Sequence, residues 1–134
     1  KSASLHGTRI EGEIIPRLID EIPVLAAAMA LAEGESLVSG ASELRVKETD
    51  RIAVICTELG KLGADIQETR DGFYIQGRPG GLKGGHVKSQ GDHRIAMSLA
   101  VAGLCCENDT VIDDAEAVNI SFPEFWDTLL KISL

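Results

Sequence analysis

The sequence predicts an α/β (α+β) protein in which helices pack on small sheets. Three observations point there. Helix-like and strand-like hydrophobic patterns alternate along the chain, the order that builds layered helix-on-sheet domains. Two blocks of this pattern match at a spacing of 74 residues: 33–38 lies over 107–112, Ala41 over Ala115, Val46 over Ile120 and Ile52 over Trp126. Identity is weak, so the match rests on hydrophobicity and element order, which is how duplicated structural units reveal themselves. Aromatic residues are only 4% of a chain that is 44% hydrophobic, so the core must be mainly Ala, Val, Ile and Leu.

Taken in order, residues 2–12 read as an extended segment broken by Gly7 and Gly12. Residues 14–18 are a short apolar connector carrying Pro16. A helix follows, from Asp20 as N-cap or first-turn acid to about residue 33, with Pro23 tolerated in its first turn and Gly34 after its end. The run 24–31 is apolar on all sides, which predicts a well-buried helix. Residues 36–39 read as a strand. A second helix is expected over about 48–62, with Ile52, Ile55, Leu59 and Leu62 at helical spacing. Residues 64–68 and 72–76 read as paired strands around a turn at 69–71. The Gly-rich run 77–85 reads as a surface connector, and 86–89 as a strand. The third helix opens at 91–94 and runs to about 106; 110–113 is a strand; the last helix spans 122–132 with Pro123 in its first turn.

The 134 residues carry a formal charge of −8. That balance argues against a general nucleic-acid or anionic-membrane surface, so an anion site must be a local basic pocket on an acidic protein. Cys56, Cys105 and Cys106 have neither Cys-x-x-Cys nor metal spacing and read as buried thiols in a reducing compartment, hence cytoplasmic. No signal peptide is visible, and the longest apolar run, 95–106, is too short to span a membrane. The chain starts without Met or an entry turn and reads as a fragment of something longer.

Three constellations carry possible chemistry. In the stretch 43–52 three cations alternate with three carboxylates. On a helix Lys47 and Arg51 stand on one face and repel, which suits a bound anion better than stability; the plainer reading is a solvated, salt-bridged face beside Glu48 and Asp50. In Gly91-Asp-His-Arg94 a first-turn Arg94 is placed to clamp a phosphate or carboxylate, or else to pair with Asp92; His93 reads more simply as a structural histidine than as a base. Asp20-Glu21, in an apolar setting, can supply a general base or be a plain cap. In the repeat register Asp20 falls on Arg94. A rough rotation between the copies would therefore gather Asp20, the Lys47–Arg51 turn and Arg94 around one cavity.

Leu44-Arg-Val-Lys-Glu-Thr-Asp-Arg51, Asp92-His-Arg-Ile-Ala-Met-Ser98, Leu18-Ile-Asp-Glu-Ile-Pro-Val-Leu25 and Ser121-Phe-Pro-Glu-Phe125 together resemble the C-terminal third of the 5-enolpyruvylshikimate-3-phosphate synthase (3-phosphoshikimate 1-carboxyvinyltransferase) family. The resemblance implies repeated βαβαββ units of the enolpyruvyl transferase fold, three to a domain, of which this chain holds about two, at approximately 13–89 and 90–134. It implies transfer of the enolpyruvyl group of phosphoenolpyruvate to the 5-hydroxyl of shikimate 3-phosphate through a tetrahedral intermediate, with no metal or organic cofactor. Carried over residue by residue, Asp20 resembles the catalytic Asp that binds the shikimate hydroxyls. Lys47 resembles the Lys on the 3-phosphate, and Glu48 the acid at the phosphoenolpyruvate methylene. Arg51 and Arg94 resemble the pair on phosphoenolpyruvate, with His93 their neighbour.

The departures are specific. Glu43 stands where some members have Asn, no Lys precedes Phe122, and Asp20 lies three residues before Pro23, as in a branch that includes members less sensitive to glyphosate. The family's N-terminal elements have no counterpart here, so the chain alone is expected to be an inactive half-site needing the missing N-terminal portion. The rival reading is a non-catalytic anion-binding or interaction domain with the same fold. It would need the cations but neither Asp20 nor Glu48.

Overall fold

In the computed structural model, which describes residues 3–133, two parallel strand pairs each enclose a buried helix. Strand β1 (Arg9–Ile10) runs parallel to β2 (Glu35–Val38), and parallel neighbours need a crossover. The chain supplies it as a 3-10 turn at Gly12–Ile14, the single-turn helix α1 (Ile15–Leu18), a second 3-10 turn at Ile19–Glu21 and helix α2 (Ile22–Leu31). A further 3-10 turn at Ser42–Val46 and helix α3 (Arg51–Lys61) lead to the hairpin of β3 (Asp65–Thr69) and β4 (Gly72–Gln76). These strands form one mixed sheet in the order β1-β2-β4-β3. Strand β5 (Gly85–Lys88), helix α4 (His93–Gly103) and β6 (Thr110–Asp113) make the second parallel crossover. A 3-10 turn at Ala115–Ile120 and helix α5 (Phe125–Ser133) follow.

The repeat is visible in this order. Helices α3 and α5 begin at Arg51 and Phe125, 74 residues apart, each after a strand and a 3-10 turn. The enclosed helices α2 and α4 pack against each other. Their approach is close because α2 buries Ala26, Ala27 and Ala30 and α4 buries Ala96, Ala100 and Ala102. One core joins Ile22, Ile52, Leu59, Phe73, Ile75 and Leu99; a smaller one, around Val118 and Phe125, holds α5 to α4. Strand β5, which a division at residue 89 leaves in the first unit, hydrogen-bonds to β6 of the second.

Several expectations shift. Helix α3 starts at Arg51 rather than Glu48, because the Asp50 side chain accepts from the Ala53 N–H at 3.1 Å and caps it there. Asp20 is not a cap: it lies in the 3-10 turn before α2. Helix α4 is capped by Asp92 and ends at Gly103, and α5 starts two residues after Pro123. The connector 77–85 is not purely surface. It crosses between the sheets and buries Leu82, which bridges to Cys106. The thiols are all free, but Cys105 is exposed whereas Cys56 and Cys106 are half-buried; burial pushes the Cys56 thiol up to about 12. Of the extended segment, residue 2 lies outside the described residues. Among those described, no helix is long and apolar enough to cross a membrane.

Two glycines separate backbone freedom from close packing. A Cβ on Gly72 would lie 1.8 Å from the carbonyl oxygen of Val38 on the neighbouring strand, whereas one on Gly60 in α3 would meet nothing within 4 Å. Gly72→Ala is expected to lose about 1–3 kcal/mol by overpacking, and Gly60→Ala to gain about 0.5–1 kcal/mol. Urea unfolding of the two variants checks both signs.

Candidate active site

Three segments meet at one end of the two buried helices: the turn before α2, the loop 47–50 before α3, and the N-terminus of α4. At the centre is Arg51, the first residue of α3, only 1% exposed. Its Nε donates to Asp92 Oδ2 at 2.9 Å and its Nη2 to Asp92 Oδ1 at 3.1 Å, a two-pronged pair. Nη1 donates to Asp20 Oδ1 at 3.2 Å and Nη2 also to Glu48 Oε2 at 2.5 Å. Asp92 is fully buried. It accepts in addition from Thr49 Oγ1 at 2.9 Å and from the backbone N–H groups of Arg94 and Ile95. One carboxylate thus caps α4 and anchors α3.

Burial opposes charge on Asp92, but the hydrogen bonds from Arg51 and Thr49 outweigh it and hold the carboxyl below its ordinary 3.8. Burial likewise opposes charge on Arg51. Asp92, Glu48 and Asp20 overcome it and raise the guanidinium further. Both partners shift toward the charged form, as an ion pair requires.

The remaining residues surround this pair. Asp20 is half-exposed and faces Lys47 Nζ at 3.9 Å as well as Arg51. Lys47 also donates to Glu43 at 3.3 Å. Arg94 donates through Nη1 to the Asp20 carbonyl at 3.4 Å and to Glu21 Oε1 at 3.3 Å. His93 opens α4 beside it, with a buried Nδ1 that has no hydrogen-bond partner among the described residues. A cavity of about 210 Å³ lies alongside, with Asp20, Glu21 and Arg94 on its polar wall and Val24, Met97 and Phe125 on its apolar one. A larger hollow of about 520 Å³ lies elsewhere, lined by Leu31, Glu33 and Cys105 among others. Among the described residues no group of three His, Cys, Asp or Glu side chains is placed to hold a metal ion.

Asp20, Lys47, Glu48, Arg51 and Arg94 therefore do come together, but not as the pattern reading had them. Lys47 lies outside α3, in extended backbone, so it does not share a helical face with Arg51; the two cations converge on Asp20 instead. Arg94 pairs with Glu21, because Asp92 is taken by Arg51. The cluster is not a basic pocket: Lys47, Arg51 and Arg94 face five carboxylates, Asp20, Glu21, Glu43, Glu48 and Asp92. Pattern reading also missed Asp92 as the anchor of Arg51. Its only signal was a cap position before a helix, which says nothing about a partner 41 residues away.

This is an α/β fold that gathers cations and carboxylates where its helix N-termini meet. Residues 2–129 match the family model of EPSP synthase (3-phosphoshikimate 1-carboxyvinyltransferase). A protein named 3-phosphoshikimate 1-carboxyvinyltransferase from Syntrophomonas wolfei is 69% identical over 125 residues, 93% of this chain and 29% of that protein. Its namesake from Herpetosiphon aurantiacus is 57% identical over 132 residues, 98% of this chain and 30% of that protein. A solved structure of EPSP synthase from Acinetobacter baumannii matches with a TM-score of 0.91 and 40% identity, over 96% of this chain and 30% of its own. The chain belongs to the EPSP synthase family and spans about 30% of the length of the curated relatives it matches.

Removing the anchor should be costly. Asp92→Asn leaves Arg51 buried without its two-pronged partner, an expected loss of about 2–3 kcal/mol, moderated because Asp20 and Glu48 still face it. The sign with pH follows from the lowered pKa of Asp92. Its contribution is full above the ordinary value of 3.8 and is lost as pH falls through the lower folded value. Urea unfolding at pH 7 and at pH 3 should show the gap between parent and variant narrowing at the lower pH.

Proposed function

We propose that this chain is the C-terminal part of an enzyme that transfers the enolpyruvyl group of phosphoenolpyruvate to the 5-hydroxyl of shikimate 3-phosphate and releases phosphate. Family membership supports the reaction class. The observation that carries the reading is the meeting of Asp20 with Lys47, Arg51 and Arg94, drawn from three separate segments onto one carboxylate and its own carbonyl.

In this reading the 5-hydroxyl oxygen bonds to the central carbon of phosphoenolpyruvate while the methylene carbon gains a proton. The tetrahedral intermediate then loses that proton and phosphate. Asp20, half-exposed at the cluster, takes the hydroxyl proton. Glu48, half-exposed beside it, serves the methylene carbon. Lys47 holds the 3-phosphate. Arg51 and Arg94, with His93 adjoining, hold phosphoenolpyruvate, replacing present carboxylate partners with ligand oxygens. Three cations facing five carboxylates leave no surplus positive charge for two anionic substrates, so the rest must come from the N-terminal portion. About two repeat units of one domain, a half-site, is the extent of this chain. The free thiols, one of them exposed, fit a cytoplasmic setting.

Phosphate release from the two substrates tests this. The chain alone is expected to show none, and a mixture with the N-terminal portion of the enzyme to turn over. Asp20→Asn should then cut turnover by about 100-fold or more. Turnover by the chain alone would overturn the half-site reading; a folded but silent mixture would overturn the enzymatic one.

A further inference from the structure

The loop that carries Lys47 and Glu48 is held almost entirely by side chains. Among the described residues, the backbone N–H groups of Glu48 and Thr49 make no hydrogen bond. On one side the loop is tied down by Thr49 and Arg51 to Asp92. On the other side stands Arg45, which neither the reaction nor the cluster uses.

Arg45 makes five hydrogen bonds, as many as a guanidinium has N–H groups. Nη1 grips both oxygens of Asp50, at 3.1 and 2.9 Å. Nη2 donates to Glu68 Oε2 at 2.9 Å and to the Thr69 carbonyl at 2.8 Å, and Nε to the Arg70 carbonyl at 3.0 Å. The first contact closes the chain from 45 to 50, and Lys47 and Glu48 lie inside that closure. The other contacts fasten it to the end of β3 and the turn before β4. Asp50 is shared: the Oδ1 that Arg45 holds also caps α3 through the Ala53 N–H. The start of α3, and so the place of Arg51, is set by the same carboxylate. A lysine cannot substitute, since a point charge lacks the planar fork that reaches Asp50 and the hairpin together.

Resting on the function proposed above, we propose that Arg45 is a positioning residue. It acts through Asp50 and the β3–β4 hairpin to hold Lys47 and Glu48 in register with Asp20. It touches no substrate. Its role is to spare binding energy from ordering a loop otherwise tied only on its Asp92 side.

The test is steady-state kinetics of the full-length enzyme carrying Arg45→Lys, Asp50→Asn, both together, or Asp20→Asn, at a temperature well below each melting midpoint. Arg45→Lys is expected to lower kcat at least 10-fold, through Glu48, and to raise KM for the phosphorylated acceptor at least 3-fold, through Lys47. Asp50→Asn should give the same losses, because Asn still caps a helix well but accepts from Arg45 without charge. The double variant should lose no more than either single one. A shift in melting midpoint with kcat and KM within two-fold of the parent would make Arg45 merely structural and overturn the inference. Independent, multiplying losses would overturn its action through Asp50. If Arg45→Lys does not fold, Asp50→Asn decides by the same criteria. Asp20→Asn separates the two claims. Loss of turnover there with no effect at Arg45 or Asp50 sinks this inference alone; unchanged turnover there sinks the site reading beneath it.

Discussion

The buried pair of Arg51 and Asp92 is the constraint on which the rest of the structure depends. A guanidinium 1% exposed must be matched by hydrogen-bonded carboxylate, or its desolvation costs several kcal/mol. Asp92 meets that requirement while also capping α4, so the starts of α3 and α4 are fixed to each other. Thr49 joins the same carboxylate and brings the loop before α3 with it. Asp20 and Glu48 complete the guanidinium and thereby take up their own positions. Two helices, one loop and the turn before α2 are brought to a common point by one arginine.

Much of the fold was legible because local signals and tertiary demands agreed. The hairpin strands and the apolar run of α2 follow from hydrophobic period and turn residues; the 74-residue register aligns Asp20 with Arg94, although Asp20 lies in the turn before α2 and Arg94 inside α4. The start of α3 was not legible. Glu48 and Asp50 both suit a first turn, and the bond from the Ala53 N–H to Asp50 decides for the later one. The pairing of Arg51 was hidden for a different reason: a contact across 41 residues leaves no periodic trace. Leu82 was lost in a glycine-rich run whose composition says loop, although the run must cross the core between the sheets. Cys105 went the other way: beside an apolar helix it read as buried, but it follows the end of α4 and faces out.

The charge balance has the largest functional consequence. Lys47, Arg51 and Arg94 are the residues suited to hold anionic oxygens, yet each is engaged by a carboxylate of this same chain. In that proposed role a ligand would displace Glu48, Glu21 or Glu43 to reach them, at a cost in lost pairing. In the function proposed above, a cluster held in this way is preassembled, which lowers the ordering cost of a later binding step, and waits for further positive charge before it takes an anion. Such an arrangement suits one wall of a cleft better than a complete site.

The most direct test of that account is a calorimetric titration of the folded chain alone with phosphoenolpyruvate, at neutral pH and low salt, where electrostatic attraction is least screened. The account predicts no saturable binding tighter than about 1 mM, that is, no more than about 4 kcal/mol of affinity. Saturable binding at about 10 μM or tighter, abolished by Arg94→Ala, would contradict it, because the three cations would then suffice without a partner.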